Sequence, residues 1–275
     1  MRGTVFYKMS GSGNDFVILD GRSSPGDLWS PESIRAVCDR RRGAGADGLV
    51  ILTPATAEAV RMSYWNSDGS RAAMCGNAAL CSGRLAAYLE MVPAGEFCLL
   101  TDAGPVRVRA APSTEVAEIN LPDLELLPNP PTAVPATGEL WMSFLTVGNP
   151  HVVVRVEDIE KVDVPTRGKA LRFEPVFGPA GANINFVSPA AGVNGLWLIR
   201  TYERGVEGET LACGTGTVAA ALALAHQGEA RLPTVFRSRG GPELTVRASL
   251  TEGKASEVWL VGQGRLVYRG VWDSV

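Results

Sequence analysis

Two stretches of the 275-residue chain, AMCGNAALCSG at 73–83 and LACGTGTVAAALALA at 211–225, place a cysteine directly before a glycine and then open into an alanine-rich run. The runs 76–91 and 214–227 carry few charges. A helix that is apolar nearly all round has to be buried. A chain with two such helices must therefore wrap each of them in something else. The flanking segments supply it, because on both sides they read as short strands separated by glycine, proline and polar turns. The expected fold is α/β of the α+β type. It has two pseudo-symmetric domains, each a mostly antiparallel sheet wrapped around a central apolar helix.

The rest of the chain fits that plan. TVFYKM and FVILD near the start are β-like runs with glycine-rich breaks. SPESIRAVCDRR reads as a helix capped by Ser30, with Pro31 in its first turn, Glu32 at the positive dipole end and Ile34, Val37 and Cys38 on one face. GADGLVILT leads into a buried strand, and AVRMSYWNSDGS is a strand that ends in a turn. The proline-rich stretch 122–138 is the best candidate for a boundary. Gly228 is a natural stop for the second apolar helix, and the remaining tail reads as hairpin-like strands.

Composition closes off several classes of function. Net charge is −3, which offers no electrostatic footprint for nucleic acid. The five cysteines, Cys38, Cys75, Cys81, Cys98 and Cys213, are odd in number and lack CxxC spacing, which argues against a disulfide framework. His151 and His226 are the only histidines, and neither has metal-ligand spacing, so no metal is expected. No GxxxxGK[ST] phosphate loop is present. Lys8 and Asp15 interrupt the opening segment, which does not read as a signal peptide, and no run approaches the length of a membrane span. The expectation is a cytoplasmic protein with no membrane partner.

A thiol at a helix N-terminus is biased toward thiolate by the unpaired backbone N–H groups and the macrodipole. The same N–H groups suit a carboxylate or a phosphate. Gly76 and Gly214 allow a ligand to approach the backbone closely. If the two domains face each other, Cys75 and Cys213 would flank one cleft. A thiolate on one face of a carbon and a thiol on the other can remove a Cα proton and return one to the opposite side. Buried core thiols, a redox pair and a phosphate-binding module are the alternatives that the Cys-Gly turns alone leave open.

Six blocks in order carry a resemblance: KMSGSGNDFVILD, GAGADGL, NSDGSRAAMCGN, GNPHVV, NINFV and YERGVEGETLACGTG. The sequence resembles the diaminopimelate epimerases, a family of cofactor-independent amino-acid epimerases, along essentially its whole length. The resemblance implies interconversion of LL- and meso-diaminopimelate without pyridoxal phosphate or metal, in lysine and cell-wall precursor biosynthesis. It implies that Cys75 and Cys213 are the acid/base thiols and that the backbone of Gly76, Asn77, Gly214 and Thr215 holds the carboxylate at the reacting centre. Asn14, Asn66, Asn149, Asn183, Glu203 and Arg204 match substrate-binding positions, and His151 and Glu203 match groups that support the thiols. An Arg fork gripping a carboxylate and Asn and Glu oxygens accepting from an ammonium are sensible chemistry for an amino-acid head. His226 reads as structural.

The implied domains are 1–124, completed by a C-terminal strand at about 264–275, and 125–263, with the active site in the cleft between them and a homodimer as the assembly. Ser10 stands where the family commonly has His, Ala79-Leu80 depart from the usual residues before Cys81, and the loop at Val206-Glu207-Gly208 is one residue longer than the commonest form. A racemase of another amino acid on the same scaffold, or a non-catalytic module binding amino acids or anions, is the competing reading.

Overall fold

The computed structural model describes residues 3–24, 29–126 and 133–272. Residues 127–132 in the middle of the proline-rich stretch, and 273–275 at the end of the expected C-terminal strand, lie outside the described residues. The chain divides into two compact units, one of residues 1–120 with 261–275 and one of residues 121–260.

The first unit runs β1 (Thr4–Gly11), β2 (Asn14–Asp20), α1 (Pro31–Cys38), β3 (Gly48–Thr56), β4 (Ala59–Asn66), β5 (Arg71–Ala72), α2 (Gly76–Tyr88), β6 (Gly95–Thr101), β7 (Gly104–Ala110) and β8 (Val116–Leu121). The second runs β9 (Leu124–Glu125), β10 (Glu139–Val147), β11 (Asn149–Val156), α3 (Val164–Arg172), β12 (Asn183–Pro189), β13 (Leu196–Glu203), β14 (Gly208–Thr210), α4 (Gly214–His226), β15 (Thr234–Ser238), β16 (Glu243–Thr251) and β17 (Lys254–Gln263). The last strand, β18 (Arg265–Trp272), pairs antiparallel with β1, from Thr4 opposite Trp272 to Ser10 opposite Arg265. Most pairings are antiparallel, and β2–β3, β4–β6, β11–β12 and β13–β15 are parallel.

Both apolar helices are buried as the patterning requires. In α2 every residue from Asn77 to Ala87 is buried, and the helix packs against β1, β2, β3, β4, β7 and β18. In α4 the buried run is Gly216–Leu224, packed against β10, β11, β12 and β16. Burying a leucine such as Leu80, Leu85 or Leu222 stabilises by about 2 kcal/mol each, which outweighs the weak amphipathicity of these helices. They also end alike. Met91 N–H reaches Ala86 O and Glu90 N–H reaches Ala87 O in one, and Glu229 N–H reaches Leu224 O and Gly228 N–H reaches Ala225 O in the other. These are Schellman closures, with Glu90 at φ 53° and Gly228 at φ 73° in the left-handed position. The helix expected to reach Met91 therefore stops at Tyr88, because Glu90 adopts a conformation usually left to glycine.

The smaller helices cover the outer faces. Ser30 Oγ accepts from Ser33 N–H at the start of α1, and Ile34, Val37 and Cys38 are buried with Trp29, Leu49 and Ile51. Helix α3 has no counterpart in the sequence reading. It seals the second unit by packing Val164 and Leu171 against Val152, Ile184, Phe186 and Tyr202.

Candidate active site

Cys75 and Cys213 occupy the same local position in their own units. Each is the N-cap residue of the buried helix, with extended backbone at φ −138°, ψ 127° and φ −130°, ψ 110°. Their carbonyls accept the first helical bonds, from Ala79 N–H and Thr217 N–H, each at 2.9 Å. Neither side chain caps its own helix. The thiols are thus spared from capping, and the N–H groups of Gly76, Asn77, Gly214 and Thr215 have no partner within the helix. The two thiols are half-buried, whereas Cys38 and Cys81 are buried.

In the first unit the β1–β2 turn is pressed onto the start of α2. A Cβ at Gly11 would stand 2.8 Å from Cys81 Sγ and 2.9 Å from Asn77 O, so only glycine lets the turn come this close. Ser12 at φ 52° and Gly13 at φ 102° then swing Asn14 toward the helix. Asn77 Nδ2 donates to Asn14 Oδ1 at 2.7 Å, and Asn14 Nδ2 donates to Asp47 Oδ2 at 2.9 Å. Asp47 belongs to an ionic cluster in which Arg40 bridges Asp15 and Asp47 at 2.7 Å each and Lys8 pairs with Asp15 at 2.6 Å. Burial raises the Asp15 pKa, but the hydrogen bonds and charges of Arg40 and Lys8 outweigh it and hold the carboxyl at about 2. Asn66 lies at the same end of the strands, where Phe16, Gly48 and Asn66 are in register. Its side chain is spent on the local turn, donating to Ser70 Oγ and accepting from Tyr64, both at 3.0 Å.

In the second unit the site grows from strand alternation. One face of β11, β12 and β13 carries Val152, Val154, Ile184, Phe186 and Tyr202 into the core with α3. The alternate residues, His151, Asn183, Asn185, Thr201 and Glu203, face the other way. Asn183 Oδ1 accepts from Arg204 N–H at 2.8 Å, and Arg204 Nη2 donates to Asn149 Oδ1 at 2.6 Å. His151 is fully buried, and burial together with the Arg204 charge pushes its pKa down to about 3. Burial raises the Glu203 pKa, against the pull of the nearby Thr210 hydroxyl. Cys213 Sγ lies 3.6 Å from Thr215 Oγ1. His226 is exposed on the last turn of α4, where a basic group suits the helix dipole.

The loop after Arg204 is held in place. Glu207, at φ 54°, accepts from Gly205 N–H at 3.0 Å and pairs with Arg172 at 3.1 Å. Sequence reasoning did not single out Asp47, Asn185 or Thr201. The one signal for Asn185 is its two-residue spacing from Asn183, which puts both amides on the same face of a mostly apolar strand.

The diaminopimelate epimerase family profile matches residues 6–119 and 143–259. A diaminopimelate epimerase of Gemmatimonas aurantiaca is 45% identical over 275 aligned residues, covering 96% of this chain and 98% of the relative. One of Chlorobaculum tepidum is 37% identical, over 95% of this chain and 98% of the relative. A phenazine biosynthesis protein of the PhzF family from Bacillus anthracis shares the fold, with a TM-score of 0.71 at 12% identity over 99% of both chains.

Proposed function

The chain belongs to the diaminopimelate epimerase family and is an isomerase of that type, and on that premise we propose that Cys75 and Cys213 are its acid/base pair and that it interconverts LL- and meso-diaminopimelate in lysine biosynthesis. An amino-acid Cα–H is a very weak acid. Its removal asks for a base on one face of the carbon and stabilisation of the charge that spreads into the carboxylate. Inversion asks for an acid on the other face. The observation that carries this reading is the repeated cysteine N-cap, a thiol followed by glycine at the start of a buried helix in each unit. The N–H groups of Gly76, Asn77, Gly214 and Thr215 are the donors we assign to the reacting carboxylate.

Asn14, Asn66, Asn149, Asn183, Glu203 and Arg204 are assigned to substrate binding, with the far amino-acid head read by the Arg204 fork and by amide and carboxylate oxygens. His151 and Glu203 support the thiols. No cofactor takes part. We place the enzyme in the cytoplasm as a homodimer. Sedimentation velocity at micromolar concentration reads that assembly directly.

The decisive experiment is exchange of the substrate Cα proton in D₂O. LL-diaminopimelate is expected to epimerise and take up deuterium with the wild type. Cys75→Ala and Cys213→Ala are each expected to lose about 100-fold or more of the epimerisation rate. Undiminished turnover in either variant sinks the two-thiol mechanism. Turnover of a different amino acid alone leaves the mechanism and refutes the substrate.

A further inference from the structure

We propose that Asn185 is a positioning residue that fixes the tautomer of His151, so that the imidazole presents an Nε2–H donor and is not a proton acceptor. Asn185 is fully buried between His151, Val152 and Thr201. Its amide nitrogen lies 3.1 Å from Val152 O and 3.2 Å from His151 Nδ1, and its Oδ1 accepts from Thr201 Oγ1 at 3.0 Å.

Only one orientation of that amide satisfies every neighbour. The Val152 carbonyl is an acceptor and nothing else, so the Asn185 nitrogen has to face it. The hydroxyl of Thr201 then supplies the proton that Asn185 Oδ1 needs. The second amide proton points at His151 Nδ1, which must carry a lone pair to receive it. A neutral imidazole with a bare Nδ1 carries its proton on Nε2. The ring is kept neutral by full burial and by the nearby Arg204 charge.

His151 Nε2 is buried and has no hydrogen-bond partner among the described residues. A buried N–H without an acceptor costs about 1–3 kcal/mol, and a buried polar group left over in a native site calls for a functional account. The donor is therefore available to an acceptor that arrives with the reaction, such as a thiolate or a substrate carboxylate. Gly216 completes the arrangement. A Cβ there would overlap Asn185 Oδ1 and stand 3.3 Å from Cys213 Sγ, so the absence of a side chain at 216 is what lets the amide sit beside the Cys213 thiol.

The tautomer assignment stands on the hydrogen-bond geometry alone, and its consequence for turnover rests on the two-thiol reading. The test is ¹⁵N NMR of histidine-labelled protein in a His226→Gln background, which leaves His151 as the only imidazole. The wild-type ring is expected to show a protonated Nε2 and a bare Nδ1, unchanged between about pH 6 and 9. A protonated Nδ1, an even mixture of tautomers or a titration in that range overturns the proposal with no variant needed. Asn185→Asp replaces the donor by a carboxylate acceptor and is expected to draw a proton onto Nδ1. Asn185→Leu removes the donor without adding charge and is expected to give mixed tautomers. In both, kcat is expected to fall by about tenfold or more, with KM changed far less. Variants whose ring signals match the wild type overturn the proposal. If the cysteine variants keep full turnover, the catalytic reading fails, and the wild-type spectrum still decides the tautomer.

Discussion

Asn77, in the first turn of the helix that Cys75 caps, donates to Asn14 Oδ1 at 2.7 Å, and Asn14 in turn donates to Asp47 at 2.9 Å. This chain of amides ties the start of α2 to the ionic cluster of Lys8, Asp15, Arg40 and Asp47 in the same unit. Its polarity is fixed at one end, because the Asp47 carboxylate can only accept. Asn14 therefore has to give with its nitrogen and receive with its oxygen.

That polarity predicts a rescue. Asn14→Asp puts two carboxylates at hydrogen-bonding distance and is expected to cost about 1–3 kcal/mol in urea unfolding while raising KM. Adding Asp47→Asn swaps donor and acceptor and restores the bond with no net change in charge. The double variant is expected to recover at least half of the lost stability. Simple additivity of the two single effects in a double-mutant cycle contradicts the relay.

Asp15 predicts a pH-dependent loss. Burial raises its pKa, and Arg40 and Lys8 together pull it down to about 2 from an ordinary 3.8. A carboxyl with a depressed folded pKa contributes stability that is fully present above its unfolded value and is lost as pH falls through its folded one. Asp15→Asn also strands the buried Lys8 amine, and is expected to cost about 3 kcal/mol near neutral pH. The gap between wild type and variant should narrow between pH 3.8 and about 2. A gap that widens on acidification refutes the assignment.

The buried helices and both cysteine N-caps were legible in the sequence because alanine-rich runs with few charges have no stable place at a surface. The first short helix was legible from Ser30 and Pro31, which have local meaning. Helix α3 was not. VPTRGKALR carries Gly168, a poor helix former, in its interior, and it is held by packing on strands far away in sequence. A Cβ at Gly168 would stand 2.5 Å from Tyr202 Cβ, so that glycine is dictated by a neighbour no local pattern reveals. Asn185 and Thr201 escaped for a related reason. Their partners come from three strands, and a polar residue in a strand reads as solvent-facing until the register is known.

The five thiols should separate by chemistry. Burial pushes the Cys38 thiol up to about 11, and burial, with the nearby Cys75, raises Cys81 still further. Cys75, Cys98 and Cys213 are half-buried. Iodoacetamide at about pH 8 is expected to label these three and to spare Cys38 and Cys81 in the native protein, because the thiolate is the reacting form. Diaminopimelate is expected to protect Cys75 and Cys213 and to leave Cys98 unprotected, as read by peptide mass spectrometry. Equal protection of all three, or none, counts against the proposed roles.

Gly216→Ala sets two local effects against each other. Inside a helix, alanine is favoured over glycine by about 1 kcal/mol. Here the new methyl would overlap Asn185 Oδ1 and crowd Cys213 Sγ at 3.3 Å. Asn185 cannot step aside cheaply, since it is fully buried and its amide is committed to His151, Val152 and Thr201. Overpacking of this kind costs about 1–3 kcal/mol, which exceeds the gain in propensity. The expected outcome is net destabilisation in thermal unfolding, a fall in kcat and loss of the single Nε2–H tautomer at His151. A Gly216→Ala protein that is more stable than wild type, with its His151 spectrum unchanged, shows that the amide does not need the space above that glycine.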